Sequence, residues 1–182
     1  MKPSSKHRLT KPFVATPQAA SAALIEPDNL RKNWRFIYPF FGLHMLMFGL
    51  SGFLLAYGPS RPDLPFVYLH GGIAILVYLV FYLVIFGLDE VKWMLINAAL
   101  GILGIYSQIG WLLARFGRNI DSYPWQVHIT PFLYYVLYTF LLRQFLLDVT
   151  RSRDNPVRRA WVNNGYVLLS LLIYGALLLR GV

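Results

Sequence analysis

Three histidines stand inside long apolar stretches of this 182-residue sequence, namely His44, His70 and His128. An ionisable side chain in hydrocarbon is costly and is often functional, so each of them needs an explanation. His70 follows Phe66 by four residues and His128 follows Trp125 by three, and Phe66 and Trp125 begin their stretches. At 1.5 Å per residue, both imidazoles are expected ~5–6 Å below the same membrane boundary.

Two imidazoles at one depth on different helices have the geometry that a bis-histidine b-type haem requires, because both must reach one iron. His70 and His128 are therefore candidate ligands of a haem, or of a quinone or pigment, near the outer face. Gly71 and Gly72 follow His70 and offer room for a flat ring system. The structural alternative is that each histidine hydrogen-bonds water or lipid headgroups at the interface.

His44 lies near the middle of the first apolar stretch, where we expect its imidazole to stay neutral and to hydrogen-bond a second helix. Asn97 and Gln108 are the predicted partners, because both amides belong to another stretch. As the third intramembrane histidine, His44 is also a candidate cofactor-binding residue. A zinc site is not expected, because zinc needs at least three ligands and no carboxylate is expected within a stretch.

The sequence names no catalytic residue. It has no cysteine, which excludes thiolate nucleophiles, iron–sulfur clusters and cysteine-bound zinc. It also has no HExxH motif, P-loop, glycine-rich dinucleotide loop or Ser–His–Asp arrangement. All eight acidic side chains are expected in the tail and loops, which disfavours a proton-coupled carrier. We therefore expect a protein that is not an enzyme.

Five apolar stretches of about 20 residues account for most of the chain, and this is the length that an α-helix needs to cross ~30 Å of hydrocarbon. The composition agrees, since 57% of the residues are hydrophobic and 14% are charged. We predict an all-α, polytopic membrane protein in which five transmembrane helices with short connections form one bundle over residues 34–182. The predicted spans are Phe36–Tyr57, Phe66–Leu88, Trp93–Leu113, Trp125–Leu147 and Ala160–Leu179.

One helix face stands out within the third span. Asn97, Gly101, Gly104 and Gln108 have the spacing i, i+4, i+7 and i+11, so they fall on one side of a helix. Glycines let helix backbones approach and amides hydrogen-bond across the gap, so we predict that this face is a helix-packing seam. The alternative is a partly polar cavity that binds a ligand.

The basic residues beside the spans predict the orientation. Twelve Lys and Arg side chains fall on one side of the membrane and four on the other, which places the N-terminus inside and the C-terminus outside. The twelve are Lys2, Lys6, Arg8, Lys11, Arg31, Lys32, Arg35, Lys92, Arg151, Arg153, Arg158 and Arg159, and the four are Arg61, Arg115, Arg118 and Arg180. Arg143 belongs to the fourth span, and we expect its side chain to snorkel to the inner face. The net charge of +9 thus reflects orientation, and nucleic acid is not an expected partner.

Residues 1–33 form a basic tail that contains Pro and Ser and has no acidic residue before Glu26. We predict a flexible N-terminal arm that contacts anionic lipid or a partner subunit, with a short interfacial helix at Ala20–Leu30. The alternative is an organellar transit peptide. A secretory signal is not expected, because the basic start is followed by no apolar core before Phe36.

Three functions remain open from the sequence. The first is a non-enzymatic subunit or assembly factor of a larger inner-membrane complex, with other membrane subunits and the lipid bilayer as partners. The second is an electron-transfer membrane subunit that binds one b-type haem or a quinone near the outer face. The third is a small-solute transporter. The predicted location is the cell inner membrane, with an organellar inner membrane as the alternative.

Overall fold

A computed structural model describes residues 34–58 and 62–180, which fold into helices joined by short connections. The described residues contain no strand. The helices are α1 (Trp34–Tyr57), α2 (Leu64–Phe86), α3 (Leu88–Val91), α4 (Trp93–Arg115), α5 (Ile129–Val149) and α6 (Pro156–Leu179), with 3₁₀ turns at Ile120–Ser122 and Trp125–His128. The predicted arm, transit peptide and helix Ala20–Leu30 lie outside the described residues.

The prediction of five helices long and apolar enough to cross a membrane is confirmed. Some boundaries differ from the prediction for local reasons. α2 ends at Phe86 rather than Leu88 because Gly87 adopts a φ of 81°, a conformation that suits glycine. α6 begins at Pro156 rather than Ala160, since the Asn155 side chain accepts from two backbone N–H groups and proline fits the first helical position.

Helix α5 is the centre of the bundle. It packs against α1, α2, α4 and α6, while α1 contacts α2, and α4 contacts α6. We call the end of the bundle that contains Tyr57 the Tyr57 end, and the opposite end, which contains Glu90, the Glu90 end. Both connections at the Glu90 end are short, so neighbouring helices run antiparallel.

Aromatic side chains fill much of the interior between α1, α2 and α5. Tyr82 and Phe140 are fully buried, with ring centroids 5.2 Å apart, and Phe86 lies against both of them. Aromatic pairs at this separation contribute beyond the area that they bury. The outward faces of the helices are apolar and exposed, as expected for a surface covered by lipid.

Candidate functional site

The two histidines predicted as cofactor ligands both hydrogen-bond α1. His70 Nε2 lies 3.0 Å from Ser51 Oγ, and His128 Nδ1 lies 2.7 Å from the Tyr57 hydroxyl. The backbone of Tyr123 also hydrogen-bonds the His128 ring. Ser51 and Tyr57 are six residues apart on α1, so the two attachment points differ by ~9 Å along the helix axis.

A haem between these histidines would need space and free ring nitrogens. Ligation of iron by His70 Nε2 would replace its contact with Ser51. Gly71 does not offer the room expected of it, because a Cβ added there would lie 2.2 Å from Thr130 Cγ2 of α5. Gly72 has no atom within 4 Å of such a Cβ, but it is exposed. Within residues 34–58 and 62–180, no hydrogen bond or ring contact joins His70 to His128. The haem site stays a prediction.

His44 does not reach the partners expected of it. Its Nδ1 lies 2.8 Å from the Phe40 carbonyl oxygen one turn earlier in α1, and its ring lies 4.2 Å from the Phe40 ring. Asn97 instead accepts a hydrogen bond from the Tyr166 hydroxyl of α6 at 3.1 Å. The predicted bond from His44 to Asn97 or Gln108 is therefore wrong. A helical histidine can use the carbonyl of its own preceding turn, so it needs no second helix.

Aromatic rings of α5 and α6 pack against the glycines of α4. A Cβ added at Gly101 would lie 3.0 Å from the ring atoms of Phe132 and Tyr135 of α5. One added at Gly104 would lie 2.8 Å from the Tyr135 hydroxyl and 3.1 Å from Tyr174 of α6. Asn97, Gly101 and Gly104 are buried, and Gln108 is partly exposed. Asn97, Gly101 and Gly104 therefore pack against other helices, and Gln108 lies at the wall of a cavity.

That cavity opens between α1, α4 and α5, in the half of the bundle nearer the Tyr57 end. Its volume is about 460 Å³, within the usual range for small-molecule sites. Apolar side chains make up nearly all of its wall, and Gln108, Tyr134, Tyr135 and Tyr138 are the residues with polar atoms among its lining. The Tyr134 and Tyr135 hydroxyls are buried without a hydrogen-bond partner in the described chain.

A buried charge cluster at the Glu90 end was not predicted. Arg143 is fully buried and donates from Nη1 to Glu90 Oε2 at 2.8 Å and from Nε to Asn163 Oδ1 at 3.0 Å. Gln144 Nε2 donates to the same Glu90 oxygen at 3.0 Å, and Arg159 donates to the other. The cluster therefore joins the short helix α3 to α5 and α6.

Two sequence-based expectations fail here. Arg143 does not snorkel to the inner face, because its guanidinium pairs with Glu90 and lies with Cζ 3.9 Å from the centre of the Trp93 ring. The acidic residues are not all in the tail and loops, since Glu90 is buried in α3 and Asp148 is in the last turn of α5. Both carboxylates lie at the Glu90 end and no described span has one near its middle, so the expectation against a transporter stays a prediction. The signal in the sequence was Arg143 itself, a lone charge in an apolar span that calls for an acidic partner.

A second ion pair lies beside this cluster. Arg153 pairs with the Asp148 carboxylate, which also accepts from the Tyr38 hydroxyl of α1. Burial lowers the pKa of the Arg153 guanidinium, but the hydrogen bonds and charge of Asp148 outweigh it, so that pKa lies above its usual value. Together the two clusters connect α1, α3, α5 and α6 at one end of the bundle. Their hydrogen bonds join four helices, which indicates a structural role, although Arg143 Nη2 and Gln144 Oε1 have no partner in the described chain.

No protein family, curated protein or solved structure matches this chain. Polar groups without a partner in the described chain occur at several places, among them the cavity between α1, α4 and α5, the charge cluster at the Glu90 end and the outward face of α6.

Proposed function

We propose that the chain is a non-enzymatic subunit or assembly factor of a larger membrane complex. The observation that carries this proposal is the exposed Asn164 on the outward face of α6. Asn164 lies three residues beyond Trp161 and four beyond Ala160, the predicted start of the span. Within the described chain its amide has no hydrogen-bond partner. Polar side chains in membrane helices almost always face protein or water, so a second protein is expected to cover this one.

The rest of the outward face of α6 suits a protein partner. Five of its exposed residues recur at helical spacing along one stripe: Trp161, Asn164, Gly165, Leu168 and Leu172. A Cβ added at Gly165 would meet no atom within 4 Å, and an exposed glycine lets another helix approach closely. The opposite face of α6, with Asn163, Tyr166 and Tyr174, is the one buried against the bundle.

Helix α6 is also the least enclosed of the five spans. In the 18-residue stretch of α6 that is apolar enough to span a membrane, 11% of the residues are buried, against 50% in the corresponding stretch that ends with α5. Lipid can cover the leucines of this surface, but lipid tails offer an amide no hydrogen-bond partner. The stripe that contains Asn164 therefore favours a helix of another subunit over lipid alone.

The orientation and the location belong to the same proposal. We propose that the Glu90 end faces the inside, because Lys92, Arg151, Arg153, Arg158 and Arg159 lie there and basic loops are retained inside. The cell inner membrane is the proposed location, with an organellar inner membrane as the alternative.

Site-specific photo-crosslinking in native membranes tests the subunit proposal. A photoreactive amino acid at Leu168 of α6 is compared with one at Leu76 of α2, since the two positions are 59% and 62% exposed. We expect Leu168 to yield a discrete adduct with another membrane polypeptide, severalfold stronger than any adduct at Leu76. Asn164→Leu should weaken that adduct, because it removes the amide that the partner satisfies.

Two results would contradict the proposal. One is an equal yield of lipid adducts at both positions with no polypeptide adduct. The other is an adduct that contains only a second copy of this chain, which would indicate a homo-oligomer instead of a larger complex.

A further inference from the structure

The cavity between α1, α4 and α5 has an unpaired amide on a largely apolar wall. The Gln108 amide lines the cavity and is partly exposed there, and within the described residues it makes no hydrogen bond. An amide left unpaired in an apolar environment costs a substantial part of its solvation free energy. The cavity therefore favours a molecule that hydrogen-bonds the Gln108 amide.

The tyrosines of the wall contribute rings rather than hydrogen bonds. The hydroxyls of Tyr134 and Tyr135 are fully buried, and the Tyr135 hydroxyl lies close to Gly104 of α4, so neither faces the cavity. The donor that the wall offers a ligand is therefore the Gln108 amide. The matching ligand carries an acceptor, and a carbonyl oxygen is an acceptor that remains neutral.

The lining also restricts the charge that the ligand can carry. The described residues that line this cavity include no Lys, Arg, Asp or Glu, so nothing there would compensate a phosphate or a carboxylate head. Burying an unpaired charge in such a site is strongly unfavourable. The ligand head is therefore neutral, and the aromatic side chains around it suit a flat ring.

A second groove lies farther along α5. It has a volume of about 270 Å³ and lies between α1 and α5, and Tyr138 lines both spaces. The residues of α5 that line the two spaces extend from Pro131 to Phe145, or ~21 Å at 1.5 Å per residue. Gly42 on the floor of the second groove has no atom within 4 Å of an added Cβ. This length and shape fit an extended hydrocarbon tail.

We propose that this groove binds a lipid-soluble quinone, with a ring carbonyl that accepts from the Gln108 amide and an isoprenoid tail along α1 and α5. The site is separate from the histidines, since neither His70 nor His128 lines it. Binding requires no covalent step. Entry is from the bilayer, because the lining includes residues exposed on the lipid-facing surface, such as Leu50 and Tyr138.

Equilibrium titration of the purified full-length chain in lipid nanodiscs tests the proposal, with a decyl-substituted benzoquinone as the probe. Quenching of tryptophan and tyrosine fluorescence should saturate at one quinone per chain. Gln108→Leu should weaken binding at least tenfold, because it removes the amide and keeps a similar volume. Gly49→Phe should abolish binding, since Gly49 lines the cavity and has open space around it.

Matched controls separate the site from general effects. Asn164→Leu removes an amide from another span, and Gly72→Phe adds the same ring at a glycine that also has open space. Both should bind the quinone like the native chain, and monodisperse elution establishes that each variant is folded. Non-saturating quenching, or equal losses in the controls, would overturn the proposal. So would organic extracts of the native chain that contain phospholipid but no quinone.

Discussion

Two neighbouring carboxylates, Asp89 and Glu90, occupy opposite environments although one peptide bond joins them. Asp89 is exposed and pairs with Lys92 at 2.9 Å on the surface. Glu90 is 7% exposed and accepts from Arg143, Gln144 and Arg159. Removing one partner of a buried ion pair leaves an uncompensated charge, whereas exposed pairs contribute little. The two carboxylates should therefore differ sharply in their contribution to stability.

Glu90→Ala should lower the free energy of unfolding by about 3–5 kcal/mol, because the Arg143 guanidinium then stays buried without its counter-charge. Asp89→Ala is the matched control and should leave the stability unchanged within error. The double variant Glu90→Ala with Arg143→Met should be less destabilised than the two single losses predict, since neither charge remains. The measurement is unfolding in mixed micelles with increasing denaturing detergent. Equal losses for Asp89→Ala and Glu90→Ala would contradict the structure at this end.

At the scale of elements, the approach of α2 to α5 depends on Gly71. A Cβ at this position would lie 2.2 Å from Thr130 Cγ2, so Gly71→Ala should force the helices apart and lower the stability by about 1–3 kcal/mol. Gly72→Ala has open space and should be neutral or slightly stabilising, because alanine favours helix. Thr130→Ser removes the clashing methyl group and should restore much of the loss in Gly71→Ala. Thermal unfolding in detergent measures all three, and equal effects at Gly71 and Gly72 would contradict the packing.

The elements also show what could and could not be predicted from the sequence. Five spans were predictable because hydropathy and length are local properties of the chain. The start of α6 at Pro156 was missed because a charged sequence was interpreted as a loop, although Asn155 and Pro156 form a standard helix start. The pairing of Glu90 with Arg143 joins residues 53 positions apart, and hydropathy contains no information about such pairs. For the same reason the sequence did not show that Gln108 faces a cavity.

Across the whole molecule, five helices turn apolar side chains outward and most of their polar groups toward one another. The charge cluster closes the Glu90 end, the proposed quinone groove opens nearer the Tyr57 end, and α6 carries the exposed Asn164 amide that we propose a further subunit covers. These three features use different helix faces, so each can be tested without disturbing the others.

The labelling of single cysteines on either side of α5 tests the transmembrane bundle and its orientation, and the native chain has no cysteine to interfere. Ser122 and Asp154 are both exposed and lie beyond opposite ends of α5. A membrane-impermeant maleimide should label Ser122→Cys in intact cells and should label Asp154→Cys only after permeabilisation. The reverse pattern would contradict the proposed orientation, and labelling of both cysteines from the same side would contradict the transmembrane bundle itself.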